Sequence, residues 1–403
     1  NRTQNRTKTL AVAPATEFSN EPDTDPSLAA NRGWAQRVVA RSADSRLGAG
    51  SVAATLVTDA DVLEQRIESA AKAGREWGAK SGAERARVLH DAGDVLAAFR
   101  GRLIEVMASE TGKTIAEGDV EVSEAIDFAH YYAERAIEID EIDEATYVPP
   151  RLTVVTPPWN FPVAIPAGSV LAALVSHPSV DRVILTGGWD TASLFRSWRA
   201  DLPLLAETSG KNAIIVTPSA DLDLAVADVV RSAFGHAGQK CSAASLVMLV
   251  GSVARSERFA RQLEDAVRTL RVGYPQQLSA QMGPLIEPAA GKLLKALTTL
   301  DEGEEWLVQP RRLDEAGQLW SPGVRTGVAP GSEFHLVEYF GPVLGVMTAP
   351  SLDVAIGMQN AVAYGLTAGI HSLDPAEIST WLDTVEAGNL YVNRGITGAI
   401  ARR

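Results

Sequence analysis

The chain of 403 residues holds a single cysteine. No intrachain disulfide can form, and four-cysteine zinc sites are excluded. A lone thiol fits a reducing cytoplasm. Long apolar runs are missing as well. The best stretch, residues 161–175, contains Pro162 and Pro166 and falls short of the roughly 20 apolar residues that a membrane span needs. The opening NRTQNRTKTLAVAP has no long apolar core, so a secretory leader is not expected. Positive charge is scarce: 37 Lys and Arg face 50 Asp and Glu, for a net charge of −13. An acidic surface repels phosphate backbones, which argues against a nucleic-acid partner. The six histidines show no metal-type spacing such as i, i+4, so no metal is expected. What is present is ordinary. Hydrophobic residues make up 46% and charged residues 22%, which excludes a disordered chain. The length predicts two or three domains.

Residues 1–33 are polar and rich in Pro, Asp and Asn, as in FSNEPDTDPSLAANRG, and read as an extended lead-in that wraps a surface. Residues 59–133 repeat apolar side chains at three- and four-residue steps, which predicts several amphipathic helices. The acidic run that follows, EIDEID, reads as a solvated helix end. The character then changes. Short apolar runs at 154–155, 183–185, 213–216 and 246–250 alternate with helical stretches such as AVADVVRSAF. Buried parallel strands alternating with helices make an α/β fold. Residues 273–325 are mixed, with turn signals at Gly283, Pro284, Pro322 and Gly323. Two loose phosphate-binding patterns fail. GAGSVA at 48–53 has no strand before it and no capped helix after it, and Gly112, Lys113 and Thr114 would need a glycine where Met107 stands.

Chemistry gathers in two segments. Cys241 lies in FGHAGQKCSAASLVMLV, among small and polar residues. A lone cysteine is commonly a buried inert thiol. Lys240 beside it, with Gly235 and Gly238 nearby, instead suits a thiolate approached closely by backbone. Upstream, Glu207 in LPLLAETSGKNAIIV stands between an apolar run and a glycine turn. That places it at a strand end, where α/β sites form. Partly desolvated, it can act as a general base. A salt-bridged turn glutamate is the alternative. A cysteine hydrolase that pairs Cys241 with His236 or His177 is a reading from another class.

The segments PPWNFPVAIPAGS, LAETSGKNA, GQKCSA and EYFGPVLGV stand in the order and context of the aldehyde dehydrogenase superfamily, which the chain resembles from about residue 34 to its end. FSNEPDTDP, EVSEAIDFAHYYAERA and NLYVNRGITGAI resemble the dehydrogenase half of bacterial bifunctional proline-utilisation proteins. That branch oxidises L-glutamate γ-semialdehyde, the open form of 1-pyrroline-5-carboxylate. The resemblance implies an α/β, aldehyde dehydrogenase-like fold. A shortened Rossmann-type NAD-binding domain would cover 34–143 and 155–208, with an oligomerisation flap at 144–154 that includes Tyr147, Pro149 and Pro150. A catalytic domain would cover 209–390, and a substrate-anchor segment 391–403. The resemblance also implies NAD as cofactor, a homo-oligomer and a proline dehydrogenase partner domain. Cys241 becomes the nucleophile that forms a thiohemiacetal, and Asn160 the oxyanion donor. Glu207 becomes the base that activates water against the thioester. Pro158, Trp159, Thr186, Gly187, Gly188, Thr208, Glu338 and Phe340 become cofactor contacts, with Glu338 on the nicotinamide ribose. For Trp159 an ordinary core aromatic remains the alternative. Ser242, Thr397, Gly398 and Ala399 become the grip on the substrate α-carboxylate, through a backbone nest.

The chain departs from the family pattern after PPWNFPVAIPAGSVLAALV. Relatives continue with a strand, a Lys-Pro motif, a helix and another strand, whereas this chain runs straight into SHPSVDRVILTGG. A βαβ unit of roughly 30 residues is missing, and with it the lysine that binds the adenosine ribose. The loss predicts exposed strand edges and weaker NAD binding. The alternative to an active enzyme is therefore a truncated remnant with a thiol site and impaired cofactor binding. The chain also stops before the family's Gly-rich turn and partner-joining strand. Gly188 stands where many relatives have Ser, and Ser209 where many have Gly.

Overall fold

The computed structural model describes residues 4–8, 18–143, 148, 151–164 and 180–397. Its first part is helical: α1 (Ala29–Ser42), α2 (Ala49–Thr55), α3 (Ala60–Gly78), α4 (Gly82–Ala98), α5 (Arg100–Thr111) and α6 (Ile115–Asp140). Local chemistry sets several starts. Asp59 accepts hydrogen bonds from the Asp61 and Val62 N–H groups and opens α3, and Ser81 with Glu84 forms a capping box on α4. Such caps satisfy N–H groups that have no partner inside the helix. α1 begins inside the stretch expected to be extended. Ahead of it, the lead-in is strapped to α6. The Asn20 amide and the Glu21 N–H donate to Asp127, and Thr24 donates to Asp119. Arg100 completes the strap, 2.8 Å from Glu21 and 3.0 Å from Asp119.

A parallel sheet follows, made of β1 (Thr153–Thr156), β2 (Arg182–Gly187) and β3 (Leu204–Thr208), with α7 (Trp189–Trp198) between the last two. Among the described residues its order is β1-β2-β3. Val183 and Leu185 pack with Val154 and with Ala192 and Phe195 of α7. Ile184 and Leu205, which point the other way, are exposed. Thr153 and Val154, placed in the expected flap, belong to β1. Tyr147, Pro149 and Pro150 lie outside the described residues.

The larger sheet is built from β4 (Asn212–Val216), β5 (Ala244–Val250), β6 (Glu305–Val308), β7 (Gly323–Thr326), β8 (Val343–Ala349), β9 (Thr367–His371) and β10 (Asn389–Val392). Its order is β10-β9-β4-β5-β8-β7-β6. All neighbours are parallel except β6 and β7. Helices α8 (Leu222–Phe234), α9 (Glu257–Arg268), α10 (Gly291–Thr298), α11 (Glu333–Leu336), α12 (Leu352–Asn360) and α13 (Pro375–Thr384) complete this part. The unbroken apolar runs of β4 and β5 reflect a sheet covered on both faces. Ile214, Ile215, Leu246 and Met248 are fully buried, each contributing about 1.5–3 kcal/mol of transfer free energy.

The described residues divide into two compact units. One runs through Thr208, and the other begins at Ser209 and includes Gly112–Thr114. Among the described residues no helix is long and apolar enough to cross a membrane, and no cluster of three or more His, Cys, Asp or Glu could hold a metal ion.

Candidate active site

In the first unit the expected site residues collect at the carboxyl ends of the three parallel strands. Register places Thr186 beside Glu207 and Gly187 beside Thr208. Pro158, Trp159 and Asn160 follow directly on β1. Crevices at the carboxyl ends of parallel strands are where α/β folds bind ligands. Asn160 is 3% exposed, and Glu207 is exposed at the end of β3. The turn after Asn160 is held by a residue the sequence reading did not single out. Glu121 of α6, itself buried, accepts from the Val163 N–H at 2.8 Å and the Ala164 N–H at 3.1 Å. Gly188 is the N-cap of α7 in an extended conformation, and among the described residues nothing lies within 4 Å of where its Cβ would be.

In the second unit the site residues gather at the opposite, amino ends of adjacent parallel strands. Ser209, Gly210 and Lys211 lead into β4, Cys241 leads into β5, and Glu338 and Phe340 lead into β8. α8 delivers the chain to Cys241 through a left-handed turn, with φ near 52° at His236 and Ala237 and 68° at Gly238. A Cβ on Gly238 would collide with the Gly341 carbonyl, and one on Gly210 with the Cys241 carbonyl. Glycine therefore lets three turns close on one another. Asn212 fastens them: its amide nitrogen donates to the Cys241 carbonyl at 2.6 Å and the Ala243 carbonyl at 3.0 Å, and its oxygen accepts from the Thr367 N–H at 3.1 Å. Cys241 is partly exposed. The Ser242 carbonyl accepts from Thr367 Oγ1 at 3.4 Å.

A small pocket opens beside this turn, with Gly210, Lys211, Lys240, Glu338, Phe340 and Gly341 in its lining. Glu338 accepts from the Gly210 N–H at 2.8 Å. Burial pushes its carboxyl up from the usual range, while the Gly210 N–H, Lys292, the Ser209 hydroxyl and Lys211 pull it back. A half-buried carboxylate with spare lone pairs can accept hydrogen bonds from a vicinal diol. Phe340 takes φ 56°, in the left-handed region. Thr397 follows Ile396, whose N–H donates to Ser232 on α8 at 3.1 Å. Gly398, Ala399 and His177 lie outside the described residues. Neither Asn212 nor Lys211 was singled out from the sequence, although both stand within the LAETSGKNA segment that was.

The model of the "Aldehyde dehydrogenase family" matches residues 48–176 and 167–402. The two stretches overlap at the point where the sequence leaves the family pattern. "Bifunctional protein PutA" of Escherichia coli (strain K12) is 32% identical over 84% of this chain and 30% of that protein. The structure of Proline Utilization A (PutA) from Corynebacterium freiburgense superposes with a TM-score of 0.87 at 46% identity, over 96% of this chain and 44% of that one. The chain thus spans less than half the length of these relatives. A 1-pyrroline-5-carboxylate dehydrogenase from Thermus with bound NAD superposes with a TM-score of 0.82 at 26% identity, over 97% and 93% of the two chains.

Proposed function

This chain belongs to the aldehyde dehydrogenase family, and on that premise we propose that it oxidises L-glutamate γ-semialdehyde to L-glutamate with NAD. The observation that carries the reading is the set of turns at the amino ends of β4, β5 and β8, which puts the partly exposed Cys241 on the same strand ends as the half-buried Glu338. The choice of substrate is supported by relatives named PutA and 1-pyrroline-5-carboxylate dehydrogenase.

In this reading the Cys241 thiolate attacks the aldehyde carbon, a C–S bond forms, and the carbonyl oxygen becomes an oxyanion. The Asn160 amide and the Cys241 N–H donate to that oxygen, and one such donor is worth about 3 kcal/mol. NAD, when bound, supplies the hydride acceptor that the oxidation requires. Glu207 takes a proton from water, which then attacks the thioester carbon and releases L-glutamate and the thiol. The residues present suit a dinucleotide. Thr186, Gly187 and Gly188 lead into the N-terminus of α7 with open space in front of Gly188, and helix N–H groups there favour phosphate. Pro158, Trp159, Thr208 and Phe340 would flank the cofactor, and Glu338 would accept from its ribose. Ser242 and Thr397, with Gly398 and Ala399, hold the substrate carboxylate. The same reading includes a homo-oligomer and a proline dehydrogenase partner as the source of the substrate.

Calorimetric titration with NAD, followed by the semialdehyde assay on wild type and Cys241→Ser, tests it. The expected result is NAD binding by both proteins and turnover by the wild type alone. Unchanged turnover in Cys241→Ser removes Cys241 from the mechanism. A folded wild-type protein that binds no NAD supports the remnant with a thiol site instead.

A further inference from the structure

Lys211 is 3% exposed, and among the described residues its Nζ has no hydrogen-bond partner. Its ammonium lies over two aromatic rings, 4.2 Å from the centroid of Phe334 and 5.2 Å from that of Tyr339. These rings stack on each other at 5.0 Å. A cation buried without hydrogen bonds is expensive, and ring faces offset only part of that cost. The lysine sits in the lining of the pocket that holds Glu338. Its chain neighbour Gly210 donates to the Glu338 carboxylate, and Tyr339 follows Glu338 directly. Lys211 and Glu338 thus line one pocket, and one ring under the amine belongs to the residue that follows the carboxylate.

We propose that Lys211 is a positioning residue for Glu338: its buried ammonium is one of the counter-charges, with Lys292, that help keep this carboxylate ionised, and it thereby shifts the low-pH limit for binding a ribose diol in the pocket. The inference rests on the reading of Glu338 as the ribose acceptor.

The charges around the amine fit that role. Arg325 lies 4.1 Å from the same Phe334 ring, but Glu304 pairs with it at 2.7 Å and offsets its charge. Lys292 opposes Lys211 and supports Glu338. Glu333 is engaged by Lys295 at 2.6 Å and by the Tyr339 hydroxyl. His335 is pushed down by burial, with Lys211 adding to the shift. Glu338 is the leading group that favours the protonated amine. Burial nonetheless pushes Lys211 down to about 7. The ammonium is thus present in acid, where a carboxyl pushed up by burial is most prone to take a proton, and it fades above neutrality.

The test is NAD calorimetry on the full chain as wild type and Lys211→Met, across pH. Near about pH 6 the variant is expected to bind at least about fivefold more weakly, and at about pH 8.5, where the wild-type amine is already neutral, the two should bind equally. A ratio that stays constant across pH marks a merely structural lysine and overturns the proposal. A second readout needs neither the cofactor nor the Lys211 variant. In carbon-13 lysine-labelled protein, the Lys211 Cε titration midpoint should fall by at least about half a unit in Glu338→Gln, because its favourable partner charge is gone. An unmoved midpoint overturns the coupling even if Lys211→Met does not fold. If the wild type binds no NAD while the midpoint still moves, the paired charges stand and the low-pH limit on ribose binding is overturned.

Discussion

At the scale of single residues, Ser209 carries a conflict between its side chain and its backbone. Its φ of 47° lies in the left-handed region, which costs an L-residue roughly 1–2 kcal/mol and costs glycine nothing comparable. Its hydroxyl returns part of this through a hydrogen bond to Glu338. Ser209→Ala loses the bond and keeps the strain, whereas Ser209→Gly loses both. The glycine variant should therefore exceed the alanine variant in unfolding free energy by about 1 kcal/mol in urea titrations. Equal stabilities would show that the strain is absent. The sequence marked this position, because many relatives carry glycine there, but it could not show why. Lys211 was harder still. Nothing in a lysine's neighbours along the chain announces that two rings, more than a hundred residues away, will close over it.

At the scale of elements, the amino ends of β4, β5 and β9 are joined by Asn212. Asn212→Ala leaves the Cys241 and Ala243 carbonyls and the Thr367 N–H without this partner. Unsatisfied buried groups of this kind cost about 1–3 kcal/mol each. The expected outcome is a lower Tm together with a lower kcat, because the turn that carries Cys241 loses its anchor. A lower Tm with kcat intact would confine Asn212 to a structural role. The strands themselves were legible. Val183 to Leu185, Ala213 to Val216 and Leu246 to Val250 are short apolar runs without alternation, and each proves to be part of a parallel strand. Their order was not legible, since parallel neighbours are joined by long crossovers and share no local signal.

At the scale of the whole molecule, the two units differ in how their cores are built. The unit from Ser209 onward buries one continuous cluster that reaches from Ala213 to Ile396. Among the described residues, the unit through Thr208 holds two separate clusters, one around Val183 and Phe195 and one around Ile104, Met107 and Ile126. Cooperativity follows contiguous burial. Scanning calorimetry should therefore resolve two transitions, with the unit through Thr208 unfolding first. A single transition obeying the two-state criterion would refute this.

The sequence by itself determined the family and nominated the side chains proposed to react. Cys241, Asn160, Glu207 and Glu338 each sit inside a short motif whose residues are neighbours along the chain, so their proposed roles can be read in one dimension. Tertiary structure decided how they are supported. It set one group of site residues at the carboxyl ends of β1 to β3 and another at the amino ends of β4, β5 and β8. It also buried Lys211 over aromatic rings beside the pocket. The physical reason is distance along the chain. The hydrogen bond from Gly210 to Glu338 spans 128 residues, and contacts of that separation exist only once the sheet has brought its strands side by side.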